Sequence, residues 1–143
     1  MVGPSRAGRE IATAAEEVGA ELARAGAVLV CGGLGGAMEA ACRGAKREGG
    51  TTLGLLPGPD RAAANRYVDL AVSTGLGEAR NALVVRASDA VVAVAGGFGT
   101  LSEIALALRT GVPVVGLDSW EIEGVEHVAS AGDAVARALA ATT

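Results

Sequence analysis

Aromatic side chains are scarce in this 143-residue chain, which has one Phe, one Tyr and one Trp. Half of the residues are nevertheless hydrophobic, so the core must be built from Ala, Val, Leu and Ile. Aliphatic cores of this kind are typical of parallel strands covered by helices on both faces. The length suits one domain, and we expect residues 1–143 to form a single α/β nucleotide-binding unit.

Basic runs, paired cysteine motifs and long apolar stretches are also lacking. The formal net charge of -4 argues against a nucleic-acid surface, which needs a basic patch. Cys31 and Cys42 form neither a CxxC nor a Cys/His pattern, so we predict no disulfide framework and no metal site. No stretch approaches the ~18 apolar residues of a membrane span, and the N-terminal residues do not resemble a signal peptide. We therefore expect a cytoplasmic protein that binds neither membranes nor nucleic acid.

Glycine is abundant instead, with 22 residues that cluster where apolar runs end. The apolar patterns predict strands at residues 27–31, 51–56, 68–73, 90–95 and 112–117, and helices at 6–25, 37–48, 77–87, 100–109 and after 130. Residues 118–129 give no clear assignment. Because strands alternate with helices, we predict right-handed βαβ units, a mainly parallel sheet and a Rossmann-like three-layer fold.

Only two residues, Met1 and Val2, are available for the first strand of such a fold, because Gly3 begins the turn that follows it. In the usual strand order this strand lies between those predicted at 27–31 and 90–95. We therefore expect the first strand to be truncated or missing, with a gap between its neighbours. Ser5, in the turn that follows, is a candidate ligand-binding residue.

The strongest functional pattern is the turn Gly96-Gly97-Phe98-Gly99-Thr100, between a buried strand and the start of a helix. Glycines let the backbone approach a ligand closely, and a helix N-terminus directs N–H groups and partial positive charge at it. Phosphate suits such a turn, and the Thr100 hydroxyl adds a donor. A branched side chain at Gly97 should block this approach, and any positive φ there would penalise it further. Glu103 lies one turn inside the helix, within reach of a sugar joined to the phosphate.

A second glycine loop, Gly32-Gly33-Leu34-Gly35-Gly36, also follows a predicted strand and precedes a helix. Loops at the carboxyl ends of parallel strands face one crevice, where open α/β sheets bind ligands, although glycines needed only for packing give the same pattern. Arg80 and Asn81 lie between the two loops. Arg80 could hold phosphate or pair with Glu103 across the crevice, or it could be a surface arginine.

These motifs resemble the Lonely Guy or lysine-decarboxylase-like (SLOG) superfamily. Its mark is PGGxGTxxE preceded by an arginine-containing helix, and residues 95–103 match this motif except that Ala95 replaces the proline. The resemblance covers nearly the whole chain. It implies cleavage of the N-glycosidic bond of nucleoside 5′-monophosphates, with Arg80 and Glu103 as the catalytic pair and no cofactor required.

Asn81 stands where those enzymes usually have lysine, and its surroundings are more similar to the branch that includes molybdenum-cofactor carrier proteins. That branch implies a non-catalytic carrier whose cargo is molybdenum cofactor or a related phosphorylated pterin. We predict a nucleotide-binding protein that is a candidate phosphoribohydrolase, in which Glu103 stabilises an oxocarbenium-like state, and the carrier is the alternative. Both functions need a small phosphorylated, nucleotide-like ligand. The resemblance, together with the alanine-rich helix predicted at 77–87, also predicts a homodimer or larger homo-oligomer.

Overall fold

The structure is a computed structural model that describes residues 1–142; residue 143, which the single-domain prediction included, lies outside the described residues. In chain order its elements are α1 (Arg9–Arg24), β1 (Leu29–Cys31), α2 (Ala37–Arg47), β2 (Thr52–Leu56), β3 (Leu70–Ser73), α3 (Arg80–Arg86), β4 (Val91–Val94), α4 (Phe98–Thr110), β5 (Val114–Leu117), β6 (Val125–Val128) and α5 (Ala131–Ala140). None of the helices within residues 1–142 has the length and apolar character needed to cross a membrane.

Two parallel ladders of three strands make up the sheet. β1, β2 and β3 pair in that order, with Leu29 opposite Thr52. β4, β5 and β6 form the second ladder, with Val91 opposite Val114. All the pairings within the two ladders are parallel, as the alternation of strands and helices predicts.

Met1 and Val2 lie between the two ladders, at the position expected for the first strand. The Val2 N–H donates to the carbonyl of Val92 at 2.9 Å, and its carbonyl accepts from the N–H of Val94 at 2.9 Å. On the other side, the Met1 amino group donates to the carbonyl of Val30 at 2.8 Å. The first strand is therefore reduced to a stub, as predicted, but the predicted gap is absent because Met1 and Val2 bridge β1 and β4.

Helices cover both faces of the sheet. α1 packs on α2 and α5 over one face, whereas α3 and α4 pack together over the other. β4 and β5 are buried along their whole length, which explains why residues 91–94 and 114–117 are continuous apolar runs in the sequence. The predicted three-layer, Rossmann-like fold is confirmed.

Three differences from the predicted elements affect the candidate site. α4 begins at Phe98 rather than at Thr100, so half of the glycine turn belongs to the helix. The helix predicted at 77–87 begins as a 3-10 turn, Gly77–Ala79, and becomes α-helical at Arg80. The unassigned residues 118–129 contain the edge strand β6, whose four residues carry too short a pattern to be recognised.

Candidate functional site

The carboxyl ends of the stub and of β4 open into a cleft of about 1070 Å³. At this point the strand order reverses: the strands that follow the stub, β1 to β3, extend to one side of it, whereas β4 to β6 extend to the other side. Open α/β sheets bind ligands at such a switch point. Residues 3–6, the start of α3 and the first turn of α4 line the cleft, so the fold brings together three of the predicted segments.

The N-terminus of α4 faces this cleft. Gly97 is the N-cap, and Phe98, Gly99 and Thr100 form the first helical turn. The N–H groups of a first turn have no intrahelical partners, and the helix dipole adds partial positive charge there. No acidic residue lies in this turn. The arrangement suits an anion, as the sequence predicts.

Two buried polar atoms beside this helix terminus have no hydrogen-bond partner within residues 1–142. Thr100 is 2% exposed and its Oγ1 is unpaired, and Nε of the buried Arg80 is also unpaired. An unsatisfied buried donor costs about 1–3 kcal/mol, so such groups in native proteins call for an explanation. Both residues line the cleft, where the oxygen atoms of a phosphate would accept their hydrogen bonds.

Arg80 and Glu103 face each other across the cleft, with Arg80 Nη1 3.9 Å from Glu103 Oε1. The two side chains are only 10% and 8% exposed. Arg80 Nη2 also donates to the carbonyl of Gly32 at 3.4 Å, and Nη1 donates to Asn81 Oδ1. Arg80 is therefore not a surface arginine, and the predicted pairing with Glu103 is present.

The Glu103 carboxyl titrates near neutrality. Burial raises its pKa to about 7, against the opposing effects of the positive charges on Arg80 and on the Met1 amino group. A carboxyl with such a pKa exists in both protonation states at pH 7, which is the condition for general acid or base chemistry.

A hydrogen-bonded chain joins α3 to the first turn of α4. Asn81 Nδ2 donates to Ser102 Oγ at 3.0 Å, and Ser102 Oγ donates to the carbonyl of Gly99 at 2.7 Å. The Asn81 amide oxygen accepts from Arg80, so the same residue holds the arginine. The sequence analysis named Asn81 as a site residue but missed Ser102. The one signal in the sequence is that Ser102 lies between the two predicted site residues Thr100 and Glu103.

The second glycine loop contributes Gly32 to the cleft. A Cβ on Gly32 would lie 2.6 Å from Arg80 Nη2, so the absence of a side chain makes room for the guanidinium group. Ser5 also lines the cleft. The other glycines predicted for this loop do not line it and instead face β2 or residues 4–5: Gly33, Gly35 and Gly36.

The backbone of the main turn departs from expectation at two residues. Gly97 has φ -144°, an extended conformation open to any residue, so only the close approach of a ligand, and not a positive φ, could require glycine there. The positive φ falls on Ala95, at 55°, and the Ala95 N–H donates to the carbonyl of Leu117 at 3.0 Å. The proline of the family motif could make neither this φ nor this hydrogen bond, so the substitution at 95 accompanies a different local backbone.

Gly96 does not line the cleft; it lies against Trp120, a residue that sequence reasoning missed. A Cβ on Gly96 would lie 2.7 Å from Trp120 Nε1, and this nitrogen donates to the carbonyl of Gly97 at 3.2 Å. Trp120 comes from the segment after β5 that has no recognisable pattern. Only the fold brings it to the turn.

Comparison with known proteins identifies relatives along the whole chain. A match to the SLOG cluster4 family extends over residues 1–141. An uncharacterized protein from Archaeoglobus fulgidus is 42% identical over 117 residues, which are 82% of this chain and 77% of that protein. The molybdenum cofactor binding protein of Rippkaea orientalis has a TM-score of 0.93 and 35% identity, covering 99% of this chain and 94% of that one. The molybdenum cofactor carrier protein of Chlamydomonas reinhardtii has a TM-score of 0.88 and 33% identity, covering 98% and 94%.

Proposed function

Because the chain belongs to the SLOG cluster4 family, we propose that it binds molybdenum cofactor or a related phosphorylated pterin and carries it unchanged. Proteins described as binding or carrying this cofactor share the fold over nearly the full length of both chains. The observation in this chain that supports the proposal most is the buried, unpartnered Thr100 hydroxyl beside the first turn of α4.

A terminal phosphate would satisfy the unpaired groups of the cleft together. Its oxygens accept hydrogen bonds from the first-turn N–H groups of α4 and from the Thr100 hydroxyl. The buried Arg80 guanidinium supplies a full positive charge, and charge-assisted hydrogen bonds to phosphate are strong. The ligand is therefore held by its phosphate, and the rest of the molecule extends into the cleft.

Calorimetric titration with three probes tests this site: molybdenum cofactor kept anaerobic after release from a molybdoenzyme, GMP, and inorganic phosphate. Thr100→Val should raise the dissociation constant about tenfold, because it removes one hydrogen bond to a charged group. Thr110→Val is the matched control, because that hydroxyl bonds the Leu106 carbonyl at the opposite end of α4. The proposal is wrong if the parent binds none of the probes, or if Thr100→Val binds all of them as tightly as the parent does.

The Arg80–Glu103 pair supports a second candidate, hydrolysis of nucleoside 5′-monophosphates. A buried carboxyl with a pKa of about 7 is able to stabilise an oxocarbenium-like state when ionised, or to transfer a proton. Incubation with a panel of monophosphates would then release free base and ribose 5-phosphate. Glu103→Gln should slow this release at least tenfold while binding is retained. A carrier releases no base from any monophosphate.

We also propose that the chain forms a homodimer or larger homo-oligomer. Leu70 and Val72 of the edge strand β3 are exposed on one face of the sheet, and Leu83 of α3 is also exposed. Stable interfaces bury apolar side chains of this kind at their centres. Light scattering should give a mass above that of one chain, and a monomer mass at micromolar concentration would contradict this. The lack of nucleic-acid and membrane partners and the cytoplasmic location stay predictions.

A further inference from the structure

We infer that Phe98 and Trp120 form a platform on which a planar heteroaromatic ring of the ligand stacks. The inference rests on the proposed phosphate site and adds the chemical class of the group attached to that phosphate. We call the two side chains the aromatic platform.

Phe98 lines the cleft beside the proposed phosphate site, and Trp120 stacks against Phe98 from outside the residues that line the cleft. Their centroids are 6.4 Å apart and their planes differ by 25°, a stacked arrangement. Phe98 lines the cleft and is 84% exposed, although burial of a phenylalanine is strongly favourable. In a chain with only three aromatic residues, two of them are stacked at this one place.

The phosphate turn itself holds the platform in position. Trp120 Nε1 donates to the carbonyl of Gly97, and the indole occupies the space that a Cβ on Gly96 would need. The missing side chain of Gly96 thus leaves room for the indole, whereas Gly97 is the N-cap of the helix that faces the proposed phosphate site. One short segment therefore positions both the anion-binding groups and the indole on which Phe98 rests.

The position of Phe98 in the helix connects the platform to the ligand. Phe98 is the first residue of α4, so its own N–H is one of the donors available to a phosphate. A group attached to a phosphate held there lies close to the phenyl ring. A purine or a pterin presents a flat face to that ring, and stacking of a base on an aromatic side chain tightens binding by about tenfold to a hundredfold. A sugar phosphate without a ring system gains nothing from the platform.

GMP and ribose 5-phosphate share the sugar phosphate, but only GMP carries a purine, so comparing the two isolates the contribution of base stacking to affinity. Phe98→Ala should weaken GMP binding by about tenfold to a hundredfold and leave ribose 5-phosphate binding unchanged, whereas Phe98→Tyr should keep both. Gly96→Ala should displace the indole on which Phe98 rests and thereby weaken GMP binding. Trp120 is the only tryptophan, so its fluorescence should respond to GMP and not to ribose 5-phosphate.

The possible outcomes separate the platform from the phosphate site. Unchanged GMP affinity in Phe98→Ala, or an equal loss for both probes, overturns the platform and leaves the phosphate site intact. If the parent binds neither GMP nor ribose 5-phosphate, the platform is wrong, and the phosphate site is wrong as well if molybdenum cofactor and inorganic phosphate also fail to bind. Because Phe98 is exposed, Phe98→Ala should unfold at the same urea concentration as the parent, and this measurement accompanies the titrations.

Discussion

Replacing Glu103 by glutamine should stabilise the protein relative to the parent at alkaline pH and change its stability little in acid. Burial raises the pKa of this carboxyl from 4.5 to about 7, with Arg80 opposing the shift. A raised pKa means that the folded protein holds the proton more tightly than the unfolded chain does. The stability contributed by the protonated carboxyl is complete below about pH 4.5 and is lost as the pH rises to about 7.

The size of this effect follows from the difference between the pKa of Glu103 in the folded protein and its pKa in the unfolded chain. Each pH unit in the window costs about 1.4 kcal/mol, so ionising the buried carboxyl costs about 3 kcal/mol above pH 8. Glutamine has similar size and cannot ionise, so it resembles the protonated parent at every pH. The free energy of unfolding of Glu103→Gln minus that of the parent should therefore increase by about 3 kcal/mol between pH 4 and pH 8. Domains are typically stable by only about 5–15 kcal/mol.

Urea unfolding at pH 4, 5, 6, 7 and 8, followed by circular dichroism and analysed by linear extrapolation, measures this difference. Contributions of distant groups are common to both proteins and cancel. Glu123→Gln is the control, because its exposed side chain remains in water when the protein folds. A stability difference that stays constant with pH would refute the assignment of a raised pKa to Glu103.

Two further predictions concern the close packing of glycine and cysteine residues outside the cleft. Gly36→Ala should lower the free energy of unfolding more than Gly49→Ala does, although both glycines have positive φ. A Cβ at Gly36 would collide with the backbone of Ser5, whereas a Cβ at Gly49 would meet open space. Equal losses in urea unfolding would contradict this. Cys31 and Cys42 should resist iodoacetamide in the folded protein because both are buried, even though hydrogen bonding to Cys42 lowers the Cys31 pKa. Rapid labelling of either thiol in native buffer, counted by mass spectrometry, would show that the core opens.

The sequence by itself determined the layered fold and the position of the glycine turn at residues 96–100. Fully buried strands such as residues 91–94 appear as aliphatic runs, and the glycines that end them are adjacent in the chain, so local pattern is sufficient. The carboxyl ends of parallel strands share one edge of a sheet, so the sequence indicates a common crevice for Arg80 and Glu103 but leaves a surface position for Arg80 open.

Only the tertiary structure decided which side chains complete the site and how they are tuned. Trp120 reaches the turn from a segment without periodicity, and a Cβ on Gly96 would lie 2.7 Å from that indole. The pKa of Glu103 depends on how deeply it is buried and on its distance from Arg80. Burial and contacts between distant parts of the chain are set by packing of the whole domain, and a local sequence pattern records neither of them.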